Sequence, residues 1–146
     1  MNAAAGILPR LVPAYLAYDF EHFARLLADP ELLRGAVGVR VHRAPLLAVP
    51  IGGTRLGGSM SIDLIVLAEK VHDLLLGLRG FPDLRVLPSP YRSGGQVVEW
   101  GARPPSSPHD DAARSRFYGY SEAAIERRAE LAARRSSSTV PQRSPR

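Results

Sequence analysis

The stretch Gly52 to Ser59, GGTRLGGS, spells G-x-x-x-x-G-x-S, which differs from the phosphate-binding G-x-x-x-x-G-K-[ST] pattern by one residue, Gly58 in place of the lysine. That pattern works because backbone N–H groups cradle phosphates at a helix N-terminus while lysine reaches the outer phosphates. The neighbourhood has the required order: an apolar strand-like run (46–51) precedes it and a strong helical pattern follows it. Three features count against a nucleotide site. The lysine charge is missing. No later strand ends in a metal-binding aspartate, since Asp83 opens a strand pattern. The short connection at 43–45 implies a hairpin, whereas the nucleotide-binding sheet is parallel. The reading retained here is a glycine turn that caps the next helix and binds an anion weakly through Gly57, Gly58, Ser59, Ser61 and Arg55. A phosphate- or nucleotide-binding protein, or an enzyme using residues 52–59, is the alternative.

Other residue types that do chemistry are scattered. His22, His42, His72 and His109 do not share a motif. His72-Asp73 resembles a metal phosphohydrolase pair but lacks companion histidines on other helices. His109-Asp110-Asp111 falls in a stretch of linker composition. No G-x-S-x-G elbow is present, and with no cysteine there are no disulfides or thiolate metal sites. No catalytic set, metal site or cofactor is assigned.

Charge points to the C-terminus. Residues 1–102 hold 10 basic and 9 acidic groups, residues 103–146 hold 9 and 5. At ~100° per residue, Arg127, Arg128, Arg134 and Arg135 share an arc of roughly 120°. Glu122, Glu126 and Glu130 occupy the other side, with Ile125, Ala129 and Ala132 as an apolar strip between. Arg114, Arg116, Phe117, Tyr118 and Tyr120 lie just upstream, and Arg92 sits in a glycine-serine loop. Arginine with aromatics suits a protein or nucleic-acid contact. Lys70 is the only lysine, so arginine usage by itself says little about recognition.

The elements that must position these residues follow from periodicity. Residues 1–14 read as an irregular arm, broken by Gly6, Pro9 and Pro13. Asp19 reads as the N-cap of a helix bearing Phe20, Phe23, Leu26 and Leu27 on one face, with Tyr18 and Phe23 as a hydrophobic staple. Val37, Val39 and Val41 alternate with polar or small residues as in a half-buried strand, followed by LLAVPI (46–51). Leu64, Leu67, Ala68, Val71, Leu74, Leu75 and Leu78 mark a helix over 62–78. Ile62, Ile65 and Val66 form its second apolar face, buried within the chain or available to a homodimer. DLRVL (83–87) and QVVEW (96–100) read as two further strands. Residues 103–116 have linker composition, 117–135 form a peripheral helix capped by Ser121, and 136–146 read as a disordered basic tail.

The order α-ββ-α-ββ-α implies an α+β fold: a small antiparallel or mixed sheet of about four strands on a central amphipathic helix, occupying residues 15–102. No apolar run approaches the ~20 residues of a membrane span, so the expected setting is cytoplasmic, with no membrane partner.

The phrases PLLAVPIGGTRLGG, FPDLRVLPSPYRSGGQVVEWG and RFYGYSEAAI resemble, in content and order, a family of small actinobacterial proteins known as a domain of unknown function. The resemblance spans about residues 18–130. It implies a stand-alone accessory protein and transfers no site residues. The resulting expectation is a non-enzymatic binding protein.

Overall fold

The computed structural model describes residues 8–90, 94–106 and 110–138. It is an α+β arrangement with two three-stranded antiparallel sheets in place of one sheet of about four strands. The first has the order β1 (Arg10–Pro13), β2 (Val37–Val41), β3 (Ala44–Ala48). The second has the order β4 (Gly57–Ile62), β6 (Gln96–Gly101), β5 (Arg85–Pro88). The helices are α1 (Phe20–Leu26), α2 (Ile65–Leu75), α3 (Asp111–Phe117) and α4 (Glu122–Ser138), with short 3₁₀ turns at Ala14–Leu16 and Pro30–Arg34.

Strand alternation sorts the first sheet into two faces. Val37, Val39, Val41, Leu46 and Ala48 point to a core shared with Met60, Ile62, Val98 and Trp100 of the second sheet and Leu67, Ala68, Val71 and Leu75 of α2. Leu47 points the other way, into a smaller core with Ala17, Leu27, Ala36 and Val49, covered by Phe20 and Phe23 of α1. The expected helical stripe of α2 is therefore the element that joins both sheets.

Two expected loops are strands. Residues 10–13, expected within an irregular arm, pair with β2 in the register Arg10↔Arg40 to Pro13↔Val37. Proline is tolerated there because β1 is an edge strand and needs no N–H toward the missing neighbour. After β1 the chain crosses the sheet face at Gly38: a side chain there would stand 2.6 Å from Val12 Cγ2 and 3.1 Å from the Pro13 carbonyl oxygen. The crossing ends where the Tyr18 N–H donates to the Pro45 carbonyl at 3.1 Å.

Asp19 does stand at the α1 N-cap position, but its side chain does not cap the helix. Its Oδ1 instead accepts the Leu47 N–H at 2.9 Å, which seals part of the β3 edge. Burial raises its pKa, an effect partly offset by that bond. Tyr18 is exposed, so no staple forms with Phe23.

The stretch 103–116, expected as a linker, contains most of α3, with Ser115 and Phe117 buried. Asp110 caps it through a 2.9 Å bond from the Ala113 N–H. The expected Ser121 cap of α4 is present, accepting the Ala124 N–H at 3.1 Å. That helix runs to Ser138, three residues into the stretch expected to be a tail; residues 139–146 lie outside the described residues.

Candidate functional site

The glycine stretch divides: Gly52–Arg55 is the expected turn, whereas its second half is a strand. Gly57, Gly58, Ser59 and Ser61 all belong to β4, paired with β6 from Gly57↔Gly101 to Ile62↔Gln96. Side chains added at Gly58 would meet the Trp100 indole at 2.5 Å, and at Gly57 the Phe117 ring at 2.7 Å. Both glycines make room for aromatic rings. Ser59 and Ser61 alternate onto the exposed face. Helix α2 begins at Ile65, and its N-cap, Leu64, offers no side-chain bond. The expectation that the glycine stretch caps this helix is thus corrected, and the helix N-terminus that a phosphate loop needs does not follow Gly58. The sequence pattern missed this because Gly-Gly is read as a turn. Here the close ring contacts decide the matter.

Arg55 is turned inward. It closes a tight turn in which the Gly52 and Arg55 N–H groups donate to each other's carbonyls at 3.0 and 2.9 Å. Only 4% of the residue is exposed. Its Nη1 donates to the Tyr118 carbonyl at 2.9 Å and its Nε to the Val49 carbonyl at 3.4 Å, an oxygen that also accepts the Trp100 indole N–H at 2.9 Å. Its guanidinium lies 5.9 Å from the Phe23 ring centroid and 5.8 Å from that of Tyr118. No carboxylate among the described residues pairs with it. Burial pulls its pKa down to about 10, and burial likewise pushes the Tyr120 phenol up. Arg55 thereby fastens the α3–α4 junction to the turn at Gly52 and to α1.

The C-terminal arginines make different contacts. Arg116 forms a two-pronged pair with Glu122 at 2.9 and 3.1 Å. Arg128 stacks on Tyr120, 5.5 Å from the ring centroid. Tyr118 packs edge-on against Phe117, and Arg114 is half-buried in α3. Arg127, Arg134 and Arg135 are exposed on α4. Arg92 lies outside the described residues. A further guanidinium that sequence reading passed over, Arg85, is held by its cross-strand partner Glu99 at 2.9 Å and by the carbonyls of Asp83, Gly101 and Ala102. Its only sequence signal is the opposite charge at facing positions of two adjacent strands.

What α1, α3 and α4 do create is a groove of about 740 Å³. It is lined by apolar side chains, Leu26 of α1, Ala112 of α3, and Ile125, Ala129, Leu131 and Ala132 of α4, together with His22, Asp110, Asp111, Arg128 and Arg135. The last core residue of α4 is Ile125. From Glu126 to Ser136, about three turns, every residue is exposed, Leu131 at 52%. The second face expected on α2 is divided. Ile62 is buried in β4, whereas Ile65 and Val66 are exposed beside Leu64.

Among the described residues no group of three or more His, Cys, Asp or Glu side chains is placed to hold a metal ion. His72 Nδ1 meets only its neighbour Asp73, at 3.1 Å, and His109 lies outside the described residues. No helix among the described residues is long and apolar enough to cross a membrane.

One family model, that of a family of unknown function (DUF6302), matches residues 11–146. The chain belongs to that family. The match takes in both sheets except Arg10, and the α1–α3–α4 groove, so the matched segment includes the peripheral helix as well as the core. No curated protein and no solved structure matches the chain.

Proposed function

We propose that this protein is a non-enzymatic accessory protein that docks a helix of a protein partner in the groove between α1, α3 and α4. The observation that carries this reading is the exposed half of α4. A helix gains most of its stability from burying an apolar face, yet Leu131, Ala129 and Ala132 stand over open space on the side that faces α1 and α3. A partner helix laid along Leu26, Ile125 and Leu131 would add a fourth helix to α1, α3 and α4, with contacts at the i, i+3, i+4 spacing of groove-binding helices. Charges of both signs in its lining supply orientation.

A benzophenone amino acid placed at Leu131 tests this in living cells. The expected result is one discrete adduct, lost when Ala129→Arg fills the groove and absent when the label stands at Glu130 on the outer side. No adduct at Leu131, or equal adducts at both positions, overturns the reading. An adduct of twice the chain mass identifies the partner as a second copy.

A second copy has a separate place to bind, favoured by the exposure of Leu64, Ile65 and Val66 at 56%, 53% and 61%. Three consecutive apolar residues open to solvent suit a homodimer contact. Sedimentation of Val66→Glu against the unaltered chain tests it: the variant is expected to lose self-association at micromolar concentration. A chain that is already monomeric rules this contact out.

A further inference from the structure

The arginines of the first sheet differ from those that have partners. Arg34, Arg85 and Arg116 each pair with a carboxylate, and Arg55 and Arg128 each face aromatic rings. Arg10 and Arg40 instead face each other. They are register partners on β1 and β2, so their side chains rise from the same face of the sheet. Two like charges at directly opposed positions destabilise a sheet. Arg43, in the turn that follows, adds a third cation and is exposed; its carbonyl accepts from Arg40 Nη1 at 3.4 Å. No carboxylate among the described residues forms an ion pair with any of the three. The Nε of Arg40 is buried without a hydrogen-bond partner, a state that folded proteins ordinarily avoid.

Aromatic rings stand in the same region. Arg40 faces Pro45 on β3, and the Pro45 carbonyl accepts the Tyr18 N–H, so Arg10, Arg40, Pro45 and Tyr18 form one lateral row across the sheet. Tyr15 and Tyr18, on the segment that crosses this face, are 71% and 72% exposed. Neither ring is used by the core. Guanidinium groups without ion pairs at strand spacing and open tyrosine rings match the two demands of single-stranded nucleic acid: phosphates to neutralise and bases to stack.

We propose that this end of the first sheet binds single-stranded nucleic acid, Arg10, Arg40 and Arg43 contacting the phosphodiester backbone and Tyr15 and Tyr18 stacking on bases. The site is separate from the α4 groove, so either proposal can fail without the other.

The test is fluorescence anisotropy of the full chain with labelled twenty-nucleotide DNA and RNA strands, across a range of salt. Binding is expected to weaken with salt. The double variant Arg10→Gln/Arg43→Gln should lower affinity tenfold or more and flatten the logarithmic salt slope by about 1.4, or ~0.7 for each lost phosphate contact. Tyr18→Ser should lower affinity with the slope unchanged. All three residues are exposed, and thermal melts confirm that the variants fold. Arg127→Gln/Arg134→Gln on α4 should leave binding intact. Failure to bind any strand overturns the proposal, as does an equal loss from the α4 variant. Binding to phosphatidylserine vesicles without binding to any strand also overturns it.

Discussion

The guanidinium of Arg55 donates to the carbonyl of Tyr118 across 63 positions of sequence, at 2.9 Å, in a site almost closed to water. A cation buried without a carboxylate is costly unless its donors meet acceptors. Here two carbonyls and two ring faces supply that compensation. Arg55→Ala should therefore destabilise the fold by about 2–3 kcal/mol, through orphaned carbonyls and lost packing. Arg55→Lys should recover little, because a single ammonium cannot span both carbonyls in the plane of a guanidinium. Urea denaturation measures both. Hydrogen exchange should show the extra opening first at Phe117–Ser121. Unchanged stability in Arg55→Ala would sink the clamp.

Gly58→Ala separates a packing role from a loop role. The new methyl group would stand 2.5 Å from the Trp100 ring, and forcing such contacts in a close-packed core costs about 1–3 kcal/mol. Ser59→Ala, on the exposed face of the same strand, should change stability by less than about 0.5 kcal/mol. Thermal melts of the two variants decide. A neutral Gly58→Ala would mean that Trp100 has room to move and that the glycine serves something else.

That pair of residues also shows where sequence reading succeeds and where it stops. Period-two alternation located β2, and the heptad-like stripe located α2, because each pattern is the direct trace of a buried face. Gly57 and Gly58 gave the opposite answer from the true one. Their reason for being glycine is Phe117 against Gly57 and Trp100 against Gly58, residues 60 and 42 positions away, and local pattern carries no record of that. Pro9 and Pro13 hid β1 for a related reason: a proline is a breaker in a central strand but acceptable on an edge, and edge status is a tertiary property. At the groove, Ile125, Ala129 and Ala132 were legible as an apolar strip on α4. Leu26 and Ala112 were not, since their facing that strip depends on the Arg55 clamp.

His42 and Asp63 tie the first hairpin to the corner before α2. The imidazole Nε2 lies 3.1 Å from each carboxylate oxygen. His42 takes a positive φ of 61° to make the turn, a conformation in which histidine is enriched over most residues. The hydrogen bond from His42 holds the Asp63 carboxyl below its ordinary value of 3.8. An acid group with a depressed folded pKa stabilises the fold above its unfolded pKa. That contribution disappears as pH falls through the folded value. Asp63→Asn should thus weaken the fold at neutral pH and remove part of the stability lost between about pH 5 and pH 2. Urea midpoints measured across that range for both proteins test it. Parallel curves would show that the pair contributes nothing, as some exposed pairs do.

The outer half of α4 should be dispensable for folding and necessary for docking. Every residue from Glu126 to Ser136 is exposed, and the buried anchors Ala124 and Ile125 lie before it. Ending the chain after Glu130 removes Leu131, Ala132 and Arg135 from the groove but leaves Arg55, Tyr118 and Tyr120 in place. Stability should fall by no more than about 0.5 kcal/mol, the scale of surface changes away from core or caps. A benzophenone at Ala129 in this shortened chain should give no adduct, whereas in the full chain it should. A large loss of stability would instead make α4 a structural brace of the α1–α3 layer. An undiminished adduct would place the partner on the body of the protein, leaving the projecting helix without a part in the contact.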